Sequence, residues 1–230
     1  MAGETVKTEA ICLDIRPWSR TSHVVSWLTP SGRVTTLVKG AVRPKSAFLG
    51  QYDLNYTCEV VFYARASGEL HALRECSPLD FREQLRGDYR ALAAAGYFRQ
   101  LAADFAPSGP DCAAWCSALA DALDRLARDP AGAATVGEVL RFELAVLAML
   151  GLKPEVEASS GAFALRGERR IPVSPEVAAY LRDPTRPAEN PRTPLDAARV
   201  IGVFYQFHLD CASEVRRTVL GMISKTKRGE

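Results

Sequence analysis

The stretch HVVSWLTPSGRVTTLVKG, residues 23–40, decides the fold. HVVSWL (23–28) and RVTTLVKG (33–40) are rich in β-branched and aromatic residues, and TPSG between them is turn chemistry. The pattern reads as two short strands in a hairpin. Upstream, in EAICLDI (9–15), Ile11, Leu13 and Ile15 alternate with Cys12 and Asp14. Downstream, LNYTCEVVFY (54–63) sets Leu54, Tyr56, Cys58, Val60 and Phe62 on one side, and GELHALRE (68–75) follows the break ARASG. Period-2 alternation over five short runs predicts a small Greek-key barrel of the OB type. An SH3-like barrel has a similar pattern, and periodicity does not separate the two.

After Pro78 the period changes to that of helices. Leu85, Tyr89, Leu92 and Gly96 mark a first helix, Trp115, Leu119, Ala122 and Leu126 a second, and Val136, Leu140, Leu144 and Leu147 a third. APSGPD (106–111) and DPAGAA (129–134) are the breaks between them. Residues 154–194 hold seven prolines and read as an irregular insertion with a short strand pair, FALRG and RRIPVS. A last helical pattern runs from Pro194 to Ser224, with Val200, Phe204, Phe207, Cys211 and Val215 on one stripe. The predicted class is α+β: a barrel domain over residues 1–79, then a helical domain over 80–230 that carries the insertion.

With 230 residues and 47% hydrophobic content, the chain has the material for one or two domains with a proper core. MAGETVKTEA has no apolar segment of a signal peptide, and no apolar run nears the 18 or so residues of a membrane span. Six cysteines, single except for Cys112 and Cys116, fit a reducing cytoplasmic compartment. The net charge of +2 is uninformative, but its distribution is not. Between Asp14 and Asp53 there is no acid, while Arg16, Arg20, Arg33, Lys39, Arg43 and Lys45 fall in that interval. Residues 80–214 hold 15 basic and 19 acidic residues, and residues 215–229 hold Arg216, Arg217, Lys225, Lys227 and Arg228 with no acid. Two positive segments flanking an acidic middle attract polyanions whatever the total charge.

No phosphate-binding loop, nucleophile elbow or HExxH helix is present. His23, His71 and His208 lie far apart, and none has a ligand spacing. Cys112 and Cys116 share a helix face but lack a second ligand pair, so they read as core-facing. The carboxylates of residues 80–214 read as a solvated helix surface. No residue nominates itself as a catalyst, a metal ligand or a cofactor anchor.

The positive interval suits a barrel. A single strand needs cations for its phosphates and flat apolar partners for its unstacked bases. Arg20, Arg33, Lys39, Arg43 and Lys45 supply the first. Trp18, Trp27, Phe48, Tyr52, Tyr56 and Tyr63 are candidates for the second, with Trp27 and Phe62 the surest to fill the core and Phe48, in the loop, the best placed to be exposed. Two other classes remain open: an RNA-binding OB protein, and a scaffold whose basic loop meets an acidic protein.

RPWSRTSHVVSWLTPSGRVTTLVKGAVRPKS (16–46) resembles the N-terminal domain of the bacterial recombination-mediator family RecO, and RFELAVLAMLGLKPEV (141–156) is similar to that family's helical signature. The resemblance implies a non-catalytic, cytoplasmic, nucleoid-associated protein of recombinational repair. Such a protein binds single- and double-stranded DNA and anneals complementary strands. Its helical domain meets the acidic C-terminal tail of the single-strand-binding protein SSB, and with RecR it helps load RecA. The nucleic-acid site would comprise Arg20, Arg33, Lys39, Arg43, Lys45 and Phe48, with a second basic site at Arg216, Arg217, Lys225, Lys227 and Arg228. Three departures stand out. Arg20 occupies a position that is acidic in many relatives. QYDL (51–54) replaces an L-Q-P-F-like segment. The four-cysteine zinc module of many relatives is absent from 154–177, which holds no cysteine.

Overall fold

The structure, a computed structural model, describes residues 4–64, 70–109, 112–154, 162–166, 169–209 and 214–224. Five strands, β1 (Thr5–Ser19), β2 (Ser22–Thr29), β3 (Gly32–Val38), β4 (Thr57–Tyr63) and β5 (Leu70–Asp80), close into a barrel in the order β1-β2-β3-β5-β4. All neighbours are antiparallel except β3 and β5, which run parallel. That closed order is the OB topology, so the ambiguity with an SH3-like barrel resolves in favour of OB. Closure depends on the long β1, whose first half (Thr5–Ile11) pairs with β4 and whose second half (Ile11–Ser19) pairs with β2. A register shift between Cys12 and Asp14 bends it between its two partners.

Inside the barrel lie Ala10, Cys12, Val25, Trp27, Val38, Tyr56, Cys58, Val60, Phe62, Leu73 and Cys76. Trp27 is wholly buried and donates its indole N–H to Thr36 Oγ1 at 2.8 Å, so its one polar atom is satisfied. Part of the outward face of β1 and β2 is buried too. Ile11, Leu13 and Leu28 pack into the helical core, so the apolar core runs across residue 79.

A 3-10 turn (Glu83–Gly87) leads into the helices α1 (Tyr89–Phe105), α2 (Ala113–Arg128), the single turn α3 (Pro130–Ala133) and α4 (Val136–Met149). Asp88 caps α1 by accepting from the Arg90 N–H, and Thr135 caps α4 by accepting from the Glu138 N–H. The stripe expected on α1 is rotated: Tyr89 and Leu92 are exposed, while Ala94, Ala95, Phe98, Leu101 and Ala102 are buried. The face of α1 that meets its neighbours combines small alanines with Tyr97, Phe98 and Leu101.

The expected strand pair is present as β6 (Ala162–Arg166) and β7 (Arg169–Pro172). A helix that the prolines concealed follows, α5 (Pro175–Arg182), capped by Ser174 with Pro175 in its first turn. The last helical pattern is two helices, α6 (Thr193–Leu209) and α7 (Glu214–Ser224), and Cys211 of its stripe lies outside the described residues. Val200 and Phe204 are buried, but Phe207 and Val215 are exposed. No described helix is long and apolar enough to cross a membrane.

Candidate nucleic-acid interface

At one end of the barrel, the tip of the β1–β2 hairpin meets the segment after β3. The Val42 N–H donates to Thr21 O at 3.3 Å, and the Gly40 N–H donates to Ser22 Oγ at 3.2 Å. The segment itself is a run of reverse turns. Backbone bonds link Arg43 to Gly40, Ser46 to Arg43, Leu49 to Ser46 and Gln51 to Phe48 at 2.9–3.3 Å. Gly40 and Gly50 supply the positive φ angles, 65° and 75°, that such turns need. This loop is therefore a built surface.

Arg20, Lys39, Arg43 and Lys45 are all exposed here, and among the described residues none of the four takes part in an ion pair. Trp18, 62% exposed near the hairpin tip, stands at the same end. Phe48 does not project as expected: it is half-buried against the barrel core, and its neighbour Leu49 is the exposed apolar side chain. The backbone turns between Ser46 and Gln51 direct Phe48 inward. Trp27 and Tyr56 are core residues, and Tyr52 is half-buried, bonded through its hydroxyl to His23 Nδ1 at 2.8 Å. Burial pushes the Tyr52 phenol well above its ordinary value, so it stays neutral.

Arg33 separates from this group. It begins β3 where Lys39 follows its end, roughly 20 Å away at about 3.3 Å per residue. Its guanidinium donates to Ala103 O in the last turn of α1 and, at 3.2 Å, to Ser108 Oγ. A cation at a helix C-terminus meets carbonyls left without intrahelical partners, which gives this arginine a local structural partner.

The second basic segment divides in the same way. Lys225, Lys227 and Arg228 lie outside the described residues, and Arg217 is exposed. Arg216 is not a surface cation. It forms a two-pronged ion pair with Glu143, at 2.6 and 2.9 Å, and donates to Ala198 O at 2.8 Å. It reaches Glu143 by crossing Gly202, where a Cβ would stand 2.8 Å from its Nη1. Glu143 is 0% exposed and also accepts from the Tyr97 hydroxyl at 2.6 Å. Burial opposes the Arg216 charge, but Glu143 prevails and holds its pKa above the ordinary value. Burial, reinforced by Glu143, raises the Tyr97 phenol, which remains the donor. Glu143, the acid of RFEL, is thus a structural keystone that sequence reading had placed on a solvated surface. The one signal available was its position inside an otherwise apolar run.

Beside Arg216, a groove between α6 and α7 is lined by Leu195 and Leu220, with Arg199 and Arg217 at its rim. Cys112 is buried and donates to Pro107 O at 3.1 Å, and Cys116 is half-buried, its thiol pushed by burial up to about 12. Among the described residues no group of three or more His, Cys, Asp or Glu is placed to hold a metal ion.

Comparison with known proteins agrees with the sequence motifs. Residues 1–82 match the family described as Recombination protein O N terminal. The chain is 29% identical over 209 residues to the DNA repair protein RecO of Desulforudis audaxviator, covering 89% of this chain and 80% of that one. It is 29% identical over 181 residues to DNA repair protein RecO of a Roseiflexus species, covering 79% of this chain and 62% of the relative. Against DNA repair protein RecO of an Anaeromyxobacter species it is 27% identical over 193 residues, 83% and 74% of the two chains. The likeness to RecO thus extends well beyond the barrel into the helices.

Proposed function

We propose that the chain is a DNA-binding recombination mediator of recombinational repair, acting in the cytoplasm without bond-breaking chemistry of its own. One observation carries this reading: Arg20, Lys39, Arg43 and Lys45 stand exposed at one end of an OB barrel, with no ion-pair partner among the described residues. Exposed cations of this kind interact with phosphates by displacing counterions. The names of the relatives, DNA repair protein RecO, favour DNA as the polyanion and repair as the setting.

In this reading residues 1–79 hold DNA, single- or double-stranded, and residues 80–230 hold protein partners. Annealing two strands means overcoming repulsion between their phosphates, and cations that engage one strand lower it for the other. Arg217, exposed on α7, extends positive charge to a second surface, and the sequence that follows carries Lys225, Lys227 and Arg228. The α6–α7 groove, lined by Leu195 and Leu220 with the exposed Arg217 at its rim, has the chemistry for an acidic tail ending in apolar residues, such as that of SSB. RecR, and through it RecA, complete the proposed assembly.

Titration of a labelled single strand at two salt concentrations tests the core of this proposal. Binding with a steep negative dependence of log K on log salt is expected. Absence of binding alongside capture of an acidic peptide by the basic loop would favour a scaffold. Competition between DNA and RNA of one sequence tests the RNA-binding alternative, since the 2′-hydroxyl is the chemical difference.

A further inference from the structure

Beside the four cations lies an apolar trough of about 370 Å³, within the roughly 300–1,000 Å³ of sites that take small planar ligands. Its walls are Val42, Leu49 and Leu54, and Phe48, Tyr52 and His23 line it further. Val42 is 47% and Leu49 58% exposed, although the turns that carry them are hydrogen-bonded in place. The one charged residue in the trough's lining is Asp53. Its carboxylate is held by Arg86 at 2.7 Å, and the Tyr52 hydroxyl is engaged by His23. Lys39, Arg43 and Lys45 belong to the same loop as Val42 and Leu49.

A largely apolar hollow on a loop that also carries Lys39, Arg43 and Lys45 fits a ligand that offers flat apolar groups and anions at short, regular intervals. Each nucleotide of an unpaired strand brings one of each. A duplex keeps its bases stacked inside and presents only phosphates, so it engages the rim and leaves the trough empty. We propose that the trough between Val42, Leu49 and the His23–Tyr52 pair takes unstacked bases of a single strand whose phosphates lie on Lys39, Arg43 and Lys45. This inference rests on the nucleic-acid function proposed above, and it identifies what at this end of the barrel distinguishes a single strand from a duplex. The apolar surface at the seam, around Phe81, Tyr89 and Leu92, lacks the same fit because its arginines Arg82, Arg86 and Arg90 are already paired with Asp124, Asp53 and Asp88.

The test compares the full chain with its Val42→Ala/Leu49→Ala variant in fluorescence anisotropy. The probes are a labelled oligothymidylate, an abasic oligomer of equal length with the same phosphates, and a duplex. The unaltered protein should bind oligothymidylate about fivefold or more tightly than the abasic oligomer, the low end of what a stacked base contributes. The variant should bind both at the abasic level, with its salt slope, duplex affinity and melting temperature unchanged. Equal affinity of the unaltered protein for the two oligomers overturns the trough while leaving the phosphate site intact. A variant that keeps the preference for bases does the same. If the unaltered protein binds none of the probes, the underlying function falls, and the trough with it. An acidic peptide whose binding is lost in the variant, with oligothymidylate unaffected, assigns the trough to a protein partner and also overturns the proposal.

Discussion

The two ends of the barrel differ in what surrounds their cations. At the β2–β3 end, Arg33 is tied to the C-terminus of α1, and Gly32 sits so close to the following loop that a Cβ would stand 2.9 Å from the carbonyl oxygens of Ser108 and Gly109. At the β1–β2 end, Arg20, Lys39, Arg43 and Lys45 have no ion-pair partner among the described residues. All five belong to one acid-free interval of the chain. Their difference is one of environment: one end of the barrel docks on the C-terminus of α1 and the loop after it, and the other faces outward. Positive charge indicates a binding surface only where the fold has not already assigned it a partner. Arg216 and Arg217 repeat the lesson within two adjacent residues, one locked to a buried carboxylate and the other exposed.

If that contrast is correct, substitutions at the docked side lower stability and those at the open end lower binding. The largest loss is expected for Arg82→Ala, at the seam between barrel and helices. Its side chain is 3% exposed and donates to Asp124 at 2.6 Å and to Asn55 O and Thr57 Oγ1 at 2.8 Å. Leaving the buried Asn55 carbonyl and Thr57 hydroxyl without their donor costs about 1–3 kcal/mol each, to be read from urea unfolding of the full chain. A loss below about 1 kcal/mol would mean that the seam is not a structural contact.

Replacing Lys39, Arg43 and Lys45 together with Ala should do the reverse. Stability should stay within about 0.5 kcal/mol, as for exposed positions without special contacts. The slope of log K against log salt for a single strand should fall by about 2, at roughly 0.7 per phosphate contact. Arg33→Ala sharpens the comparison, since it should leave that slope unchanged. An equal drop on Arg33→Ala would erase the distinction between the two ends.

Gly32→Ala adds a side chain at a φ of 128° and against the Ser108–Gly109 carbonyls. A loss of about 1–3 kcal/mol is expected from backbone strain alone, measured as a lowered urea midpoint with nucleic-acid affinity retained. The smallest effect is expected for Asp88→Ala, which removes the α1 cap at about 1 kcal/mol. Its pH dependence has a definite sign. The hydrogen bond from Arg90 holds the Asp88 carboxyl below its ordinary value, so its contribution is present above the unfolded-state pKa near 4 and is lost as pH falls through the lowered folded value. The stability difference between Asp88→Ala and the unaltered chain should therefore shrink on acidification.

Much of this protein was determined by local sequence. Alternation in 9–15, 23–28, 33–40 and 54–63 is a property of neighbours along the chain, and it sufficed for the barrel strands, because a strand with a buried face must repeat every two residues. The buried stripes of α2 and α4 and the turn chemistry of TPSG were legible for the same reason. SPEV at 174–177 carried a cap and a first-turn proline that could have disclosed α5. Tertiary structure alone decided the OB closure, since the parallel β3–β5 pair joins residues 35–37 to 70–72. It also decided the fate of the charges: Arg33 meets Ala103, Arg82 meets Asp124, and Glu143 meets Arg216, each across 42 to 73 residues. Periodicity records only whether a residue faces inward or outward. Which group waits there depends on how distant elements pack, and for a charge that meeting decides between holding the fold together and remaining open to a ligand.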